Sequence, residues 1–223
     1  MNKKLFLKAI SRYIMGVILV SILLLVPAGT IYYWNAWLLM GMLFIPMLIV
    51  GIILMFKNPM LLESRLDVKE KENEQKQVIV YSGLMFLLGF IIAGLNFRFS
   101  WSILPDIVII ISSILFLIAY SLYGEVLREN TYLSRTVGVQ KNQKVIDTGL
   151  YGTVRHPMYA ITIILFLTMP LILGSIISFI IFLMYPIIIV KRIKNEEEVL
   201  EKELKGYREY KKKVKYRLLP FIW

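Results

Sequence analysis

The sequence predicts an all-α membrane protein, a polytopic bundle of about six transmembrane helices with a cytoplasmic amphipathic C-terminal helix. Two observations predict this class: 58% of the 223 residues are hydrophobic, and the mean hydropathy is +0.68. Both values exceed those of an ordinary soluble domain. We expect one membrane-integral domain over 1–223, with a four-helix part over 1–124 and a part over 125–223 made of a loop, a helical hairpin and a tail.

Six apolar segments are candidates for crossing the bilayer, whose core of roughly 30 Å needs about 20 helical residues. The predicted segments are Tyr13–Ala28, Trp34–Phe56, Val78–Phe97, Ile103–Tyr123, Met158–Leu173 and Ser175–Val190. The last two have only sixteen residues each and are joined by a turn around Gly174. A re-entrant hairpin is therefore an alternative, but we favour two thin crossings because flanking charged side chains can reach the interface by snorkelling.

The basic residues predict the orientation, because short loops rich in Lys and Arg stay on the cytoplasmic side. Six crossings place both termini and the basic loops 57–76 and 128–155 inside, and leave Arg98 as the only external base among 26 Lys and Arg. The net charge of +11 is then explained by topology and by attraction to anionic lipid headgroups, so no nucleic-acid partner is expected. The pattern fits a prokaryotic plasma membrane, and the first apolar run is expected to be a retained helix.

Zero cysteines exclude disulfides, thiolate nucleophiles and cysteine metal sites, and no metal is expected. The only histidine lies in the stretch Gly149-Leu150-Tyr151-Gly152-Thr153-Val154-Arg155-His156-Pro157-Met158-Tyr159. An arginine and a histidine entering an apolar segment are costly to desolvate, which indicates that they hold something anionic or reactive. Pro157 suits the first turn of the following helix, where its missing N–H costs nothing. The preceding loop, 124–154, is longer than a connection requires, and such loops often carry function.

The tail has an acidic cluster over 196–203 and an apolar stripe that predicts an amphipathic helix leaving the last crossing. Periodicity alone favours a solvated acidic face paired with Lys194, Lys202 and Lys205, and it favours Tyr207 and Tyr210 as membrane-interface aromatics. A short hairpin must however return near its start, so we expect the Arg155-His156 end and the 192–197 end to be neighbours.

These two ends together would suit a zwitterionic ligand with a bulky aromatic end. S-adenosylmethionine is such a ligand: its carboxylate needs a cation or backbone donor, its ammonium needs a carboxylate, and its adenine needs an apolar wall. Tyr151, Tyr159, Val145 and Ile146 are candidates for that wall.

The same stretches resemble the isoprenylcysteine carboxyl methyltransferase and phospholipid methyltransferase superfamily of membrane-integral enzymes. The resemblance is carried by the run 145–151, by Arg155-His156-Pro157-Met158-Tyr159, and by Arg192 with Glu196-Glu197. The first four helices match only as hydrophobic segments. Four residues depart from the family pattern and alter the expected pocket shape, namely Leu150, Ala160, Ile161 and Leu204.

The resemblance implies an S-adenosylmethionine pocket without a Rossmann domain, and no glycine-rich dinucleotide fingerprint occurs in the chain. The implied cofactor-binding residues are Gln143, Lys144, Val145, Ile146, Tyr151, Arg155, His156, Pro157, Met158, Tyr159 and Glu196. Arg192 is implied to position the methyl acceptor, because its fixed charge suits a carboxylate or phosphate. Arg155 has the alternative of anchoring the helix to a lipid phosphate. If the acceptor is an amine, Glu197, Glu125 or water would take its proton.

The implied function is methyl transfer to a lipophilic or small acceptor, a carboxylate, amine or thiol, at the cytoplasmic membrane face. One alternative is an NADPH-dependent membrane reductase, since sterol reductases share an Arg-His-Pro-type stretch, although Glu196 and Glu197 would repel a 2′-phosphate. Another is a transporter or non-catalytic subunit, which the scarcity of acids within the crossings disfavours. The acceptor and the oligomeric state stay open.

Overall fold

The computed structural model describes residues 3–66, 73–134 and 136–223. In these ranges the regular structure is helical, with no strand. The helices are α1 (Lys3–Ala28), α2 (Trp34–Lys57), α3 (Pro59–Leu66), α4 (Asn73–Phe99), α5 (Asp106–Glu129), α6 (Pro157–Ile172), α7 (Ile176–Phe182), α8 (Met184–Glu203) and α9 (Tyr207–Lys213), with a 3₁₀ turn at Gly149–Gly152.

Five helical stretches are long and apolar enough to cross a membrane: Lys3–Ala28, Trp34–Lys57, Gln75–Phe99, Asp106–Glu129 and Ile176–Glu203. A shorter apolar helix, Pro157–Ile172, lies between the last two. Large apolar side chains such as Ile14, Ile52 and Ile110 are exposed on their outer faces, as expected of a surface that meets lipid. The predicted all-α polytopic fold is therefore confirmed, and the chain is a multi-pass membrane protein.

Hydrogen bonds between loops define one end of the bundle, which we call the turn end. The Tyr33 hydroxyl donates to the Leu173 carbonyl at 2.6 Å, and the Asn35 amide donates to the Ile172 carbonyl at 2.8 Å. The Asn96 amide donates to the Gly174 carbonyl at 3.3 Å. The α1–α2 and α4–α5 connections therefore meet the α6–α7 turn at this end.

The opposite end gathers α3, the loop after α5 and the second half of α8. The Ser64 hydroxyl donates to the Leu133 carbonyl at 3.2 Å, and the Gln75 amide donates to Asn195 Oδ1 at 2.7 Å. Arg65 Nη1 lies 3.9 Å from the sulfur of Met158, in the first turn of α6. Because α6 starts here and finishes at the turn end, the structure favours two thin crossings over a re-entrant hairpin.

The last crossing packs against α4 through a close approach at Gly89. A Cβ built on Gly89 would lie 2.3 Å from the Phe182 ring, so no larger residue fits without movement. The Ser178 hydroxyl also donates to the Gly89 carbonyl at 2.8 Å. These contacts fix the position of α7, and through it the acidic half of α8.

The predicted boundaries differ from the structure at three places. The segment predicted as Ser175–Val190 is interrupted at Leu183 and continues as α8 to Glu203, because charged residues extend the helix beyond its apolar part. The predicted amphipathic C-terminal helix is present as the charged second half of α8, but it ends at Glu203. Gly206 then adopts a φ of +87°, and the tail tyrosines lie on the separate α9. The basic loop 57–76 contains α3 and the start of α4. Its residues 67–72, and Arg135 in the later loop, lie outside the described residues.

Candidate functional site

A cleft of about 820 Å³, counting its open mouth, lies at the end of the bundle opposite the turn end. Its walls come from the loop after α5, the 3₁₀ turn, the start of α6, the end of α8 and α9. It is lined by Asn130, Tyr132, Leu133, Ser134, Thr136, Val137, Gly138, Gln143, Lys144, Val145, Ile146, Tyr151, Arg155, His156, Met158, Tyr159, Arg192, Glu196, Leu200, Leu204, Tyr207 and Tyr210.

The cleft brings together residues that are distant in the sequence. Every predicted site residue except Pro157 and Glu197 lines it: Gln143, Lys144, Val145, Ile146, Tyr151, Arg155, His156, Met158, Tyr159, Arg192 and Glu196. Pro157 occupies the first position of α6 and has a buried side chain. The histidine stretch and the acidic stretch are therefore neighbours, as expected. The binding roles of their residues stay predictions.

Glu196, Tyr159 and Arg192 form a connected polar group on the cleft wall. The Tyr159 hydroxyl donates a short hydrogen bond to Glu196 Oε2 and accepts one from Arg192 Nε at 2.8 Å. Arg192 and Glu196 lie one helical turn apart on α8, so their side chains share a face. The Arg192 guanidinium also lies over the Tyr159 ring, 5.8 Å from its centroid. A carboxylate and a cation are therefore presented side by side to the cleft.

Glu197, the next residue, faces the opposite way into a buried ionic cluster. Its side chain is 3% exposed, and its Oε1 accepts a hydrogen bond from Arg155 Nε at 2.7 Å and lies 3.2 Å from His156 Nε2. Its Oε2 accepts from Arg217 Nε at 3.0 Å. The solvated acidic face predicted from periodicity is wrong at this position. Because both oxygens are bound by cations behind the cleft, the geometry also opposes the predicted role of Glu197 as a proton acceptor.

Arg155 joins this cluster to the tail of the chain. Its Nη1 donates to the carbonyls of Val214 and Lys215 at 2.7 and 2.8 Å. The backbone N–H groups of Arg155 and His156 donate to the carbonyls of Tyr216 and Arg217, both at 2.9 Å. The proposed anchoring of Arg155 to a lipid phosphate is wrong, because the side chain is buried and bonded inside the protein.

Helix α9 closes the cleft from the tail side. Tyr207 and Tyr210 are buried, which overturns their prediction as membrane-interface aromatics. The Tyr210 hydroxyl donates to the Tyr151 carbonyl at 2.8 Å, which ties the tail to the 3₁₀ turn. Both rings belong to a small apolar cluster of Leu204, Tyr207, Tyr210 and Val214, packed against Val139, Val145 and Leu200. The apolar spacing of the tail predicted these apolar positions, but it did not predict that they would cover the loop and the 3₁₀ turn.

The 3₁₀ turn places Tyr151 in the cleft wall, and its backbone conformation depends on one glycine, Gly149. Gly149 has a φ of +52°, and a Cβ there would collide with the Glu129 carboxylate. That carboxylate instead accepts a hydrogen bond from the Leu150 N–H at 3.1 Å. Burial raises the pKa of the Tyr151 hydroxyl above its ordinary value, so Tyr151 is a neutral wall residue. The sequence offered no sign of the Glu129 contact, because the two partners are far apart along the chain.

Comparison with known proteins agrees with this geometry. Residues 107–202 match the model of the isoprenylcysteine carboxyl methyltransferase (ICMT) family. The match starts in α5 and runs through most of α8, so it includes the histidine stretch and both glutamates but not α1–α4 or α9. No curated protein matches the chain significantly. The predicted resemblance to this family is confirmed over residues 107–202.

Proposed function

We propose that this protein is an S-adenosylmethionine-dependent methyltransferase that methylates a lipophilic or small acceptor at the cytoplasmic membrane face. The observation that supports this proposal most strongly is the side-by-side presentation of Glu196 and Arg192 in the cleft. The cleft lies where the basic loops and the tail meet, and the positive-inside bias assigns that end to the cytoplasm.

The residues of the cleft fit the three chemical parts of the cofactor. Val145, Ile146 and Tyr151 provide an apolar wall for the adenine, and the Glu196 carboxylate matches an ammonium group. Lys144 and the start of α6 supply positive charge for the cofactor carboxylate. A nucleotide 2′-phosphate would instead meet the Glu196 carboxylate in the cleft, so the fit favours the sulfonium cofactor over NADPH.

The cofactor, when bound, supplies an activated methyl group and a neutral thioether as leaving group. The protein therefore has to position two partners rather than perform demanding acid–base chemistry. Glu196 holds the ammonium end, and Tyr159 keeps the Glu196 carboxylate in place. Arg192 directs an anionic acceptor toward the same wall. The tail, which covers the loop through Tyr210, limits the access of water.

The acceptor determines whether a base is needed. A carboxylate acceptor needs none, because its nucleophilic oxygen is already ionised at neutral pH. An amine or thiol must lose a proton. Glu197 is held by Arg155 and Arg217, and Glu125 is paired with Arg128 and does not line the cleft, so water is left as the acceptor of that proton. The geometry therefore favours a carboxylate acceptor over an amine.

The decisive experiment is equilibrium binding of radiolabelled S-adenosylmethionine and NADPH to the purified chain in detergent. We expect binding of S-adenosylmethionine that S-adenosylhomocysteine displaces, and no comparable binding of NADPH. The Glu198→Gln variant is the matched control for Glu196→Gln, since Glu198 is exposed on the same helix. Binding of NADPH alone would overturn the proposal in favour of the reductase.

The acceptor class is then found by labelling. Host cells, which convert methionine to S-adenosylmethionine, are grown with deuterated-methyl methionine, and their lipid and small-acid extracts are compared with and without the protein by mass spectrometry. A labelled methyl ester would identify carboxylate methylation, whereas a labelled amine or thioether would identify the other two classes. Absence of any label that depends on Glu196 would contradict the proposed activity.

A further inference from the structure

The hydroxyl of Tyr207 is a buried polar group without a partner. Tyr207 begins α9, lines the cleft and is 4% exposed. In the part of the chain that the structure describes, its hydroxyl makes no hydrogen bond. Buried polar groups in folded proteins are nearly always bonded, and an unbonded one commonly marks a place where a ligand or water binds.

Its neighbour Tyr210 provides a contrast on the same short helix. The two rings lie 5.7 Å apart, and both belong to the apolar cluster that closes the cleft. The Tyr210 hydroxyl has its partner, the Tyr151 carbonyl. Packing in the apolar cluster explains the burial of both rings. The hydrogen bond to Tyr151 explains the Tyr210 hydroxyl, but nothing in the described residues explains the Tyr207 hydroxyl.

Tyr207 shares the cleft wall with the Glu196 carboxylate. Burial raises the pKa of the Tyr207 hydroxyl, and the carboxylates of Glu197 and Glu196 raise it further, whereas Arg155 opposes them. Glu197 is neutralised by Arg155 and Arg217 behind the cleft, so Glu196 is the carboxylate that a ligand in the cleft would meet. A neutral hydroxyl on the same wall as this carboxylate offers an oxygen lone pair, which suits a cationic N–H donor.

We propose that the Tyr207 hydroxyl is a second contact, beside Glu196, for the ammonium group of the bound cofactor. This inference rests on the proposed function. An ammonium group has three N–H donors, of which Glu196 takes one and the Tyr207 oxygen takes another. Tyr207 lies outside the region 107–202 that matches the family, so the match does not assign it this role.

The test compares two ligands that differ in the group concerned. S-adenosylhomocysteine carries the ammonium, whereas 5′-methylthioadenosine keeps the nucleoside and the sulfur but lacks the amino-acid part. Their affinities are measured by calorimetry on the full chain and on Tyr207→Phe. We expect the variant to lose roughly 10- to 100-fold in affinity for S-adenosylhomocysteine and to bind 5′-methylthioadenosine as before. Tyr32→Phe, an exposed substitution in the α1–α2 loop, is the control.

Thermal unfolding without ligand separates binding from packing. Tyr207→Phe removes no hydrogen bond, so its unfolding temperature should equal or slightly exceed that of the parent. Tyr210→Phe removes the bond to Tyr151 and should unfold at a lower temperature. An equal loss of stability in both variants would overturn the inference, because the Tyr207 hydroxyl would then be bonded inside the protein.

The remaining outcomes are also decisive. Unchanged affinity of Tyr207→Phe for S-adenosylhomocysteine would overturn the inference and leave the proposed function intact. Equal losses for both ligands would overturn it too, because the hydroxyl would then contact the nucleoside. If the parent chain binds neither ligand, the proposed function itself fails.

Discussion

Glu196 and Glu197 are consecutive residues that belong to two different regions of the molecule. Glu196 faces the open cleft with Tyr159 and Arg192, whereas Glu197 lies in the buried cluster with Arg155, His156 and Arg217. A helix turns about 100° per residue, so neighbours on α8 can serve opposite sides. The cleft region presents a carboxylate and a cation to open space, and the buried cluster joins the walls of the cleft.

The substitution with the largest expected effect is one that breaks the buried ionic cluster. Glu197→Gln leaves the Arg155 and Arg217 guanidinium groups without their counterion, which should reduce the free energy of unfolding by about 3–5 kcal/mol. Thermal unfolding in one detergent checks this, with the exposed Glu198→Gln as the control. Equal stability of the two variants would show that the cluster does not hold the fold.

The next effect concerns the cleft region. Glu196→Gln removes the charge offered to the cofactor ammonium, so the affinity for S-adenosylhomocysteine should fall by roughly 10- to 100-fold. Stability should change little, because Glu196 is partly exposed and a glutamine oxygen can still accept the Tyr159 hydrogen bond. If Glu196→Gln instead destabilised the fold and left affinity unchanged, the two regions would have exchanged roles.

A smaller effect separates the acceptor from the cofactor within the cleft. Arg192→Lys keeps the charge but loses the planar fork that binds a carboxylate in two places. The rate of acceptor methylation should fall about tenfold, one bidentate contact being weakened, while the affinity for S-adenosylhomocysteine is retained. Labelled methyl transfer to a membrane extract measures the first quantity and calorimetry the second. A parallel loss of both would assign Arg192 to the cofactor.

The smallest effect lies at the surface, where the tail meets the loop. Lys213 Nζ donates to Asp147 Oδ2 at 2.6 Å, and this hydrogen bond lowers the pKa of Asp147 from its ordinary value of 3.8. A lowered folded-state pKa adds stability above pH 3.8 that is lost as the pH falls through the folded-state value. Asp147→Asn should therefore lower the unfolding temperature slightly at pH 7, and this difference should shrink as the pH falls below 3.8. A large difference in unfolding temperature between the parent and the variant at pH 7 would mean that this exposed ion pair fixes the position of the tail, contrary to the small effect expected of a surface pair.

Much of the fold and the membership of the cleft could be predicted from the sequence, for identifiable reasons. Apolar length predicted the crossings, and the short hairpin around Gly174 predicted that the histidine stretch and the acidic stretch would meet. Side-chain chemistry could not distinguish the two glutamates: the resemblance alone assigned Glu196 to the cofactor, and the burial of Glu197 follows from the rotation of α8, which the sequence did not show. It also missed the partners of Arg155, since four of its contacts run to backbone carbonyls at 214–216 or to Glu197, and carbonyls carry no residue-specific signature.

The capture of tail carbonyls by Arg155 has a consequence for the order of assembly during synthesis. The chain emerges from the ribosome from its N-terminal side, so Arg155 and His156 are made long before residues 214–217 that bind them. Until those residues emerge, the guanidinium lacks two acceptors, Glu197 lacks the Arg217 donor and the cleft lacks its cover. The walls of the cleft are therefore complete only after the tail is translated.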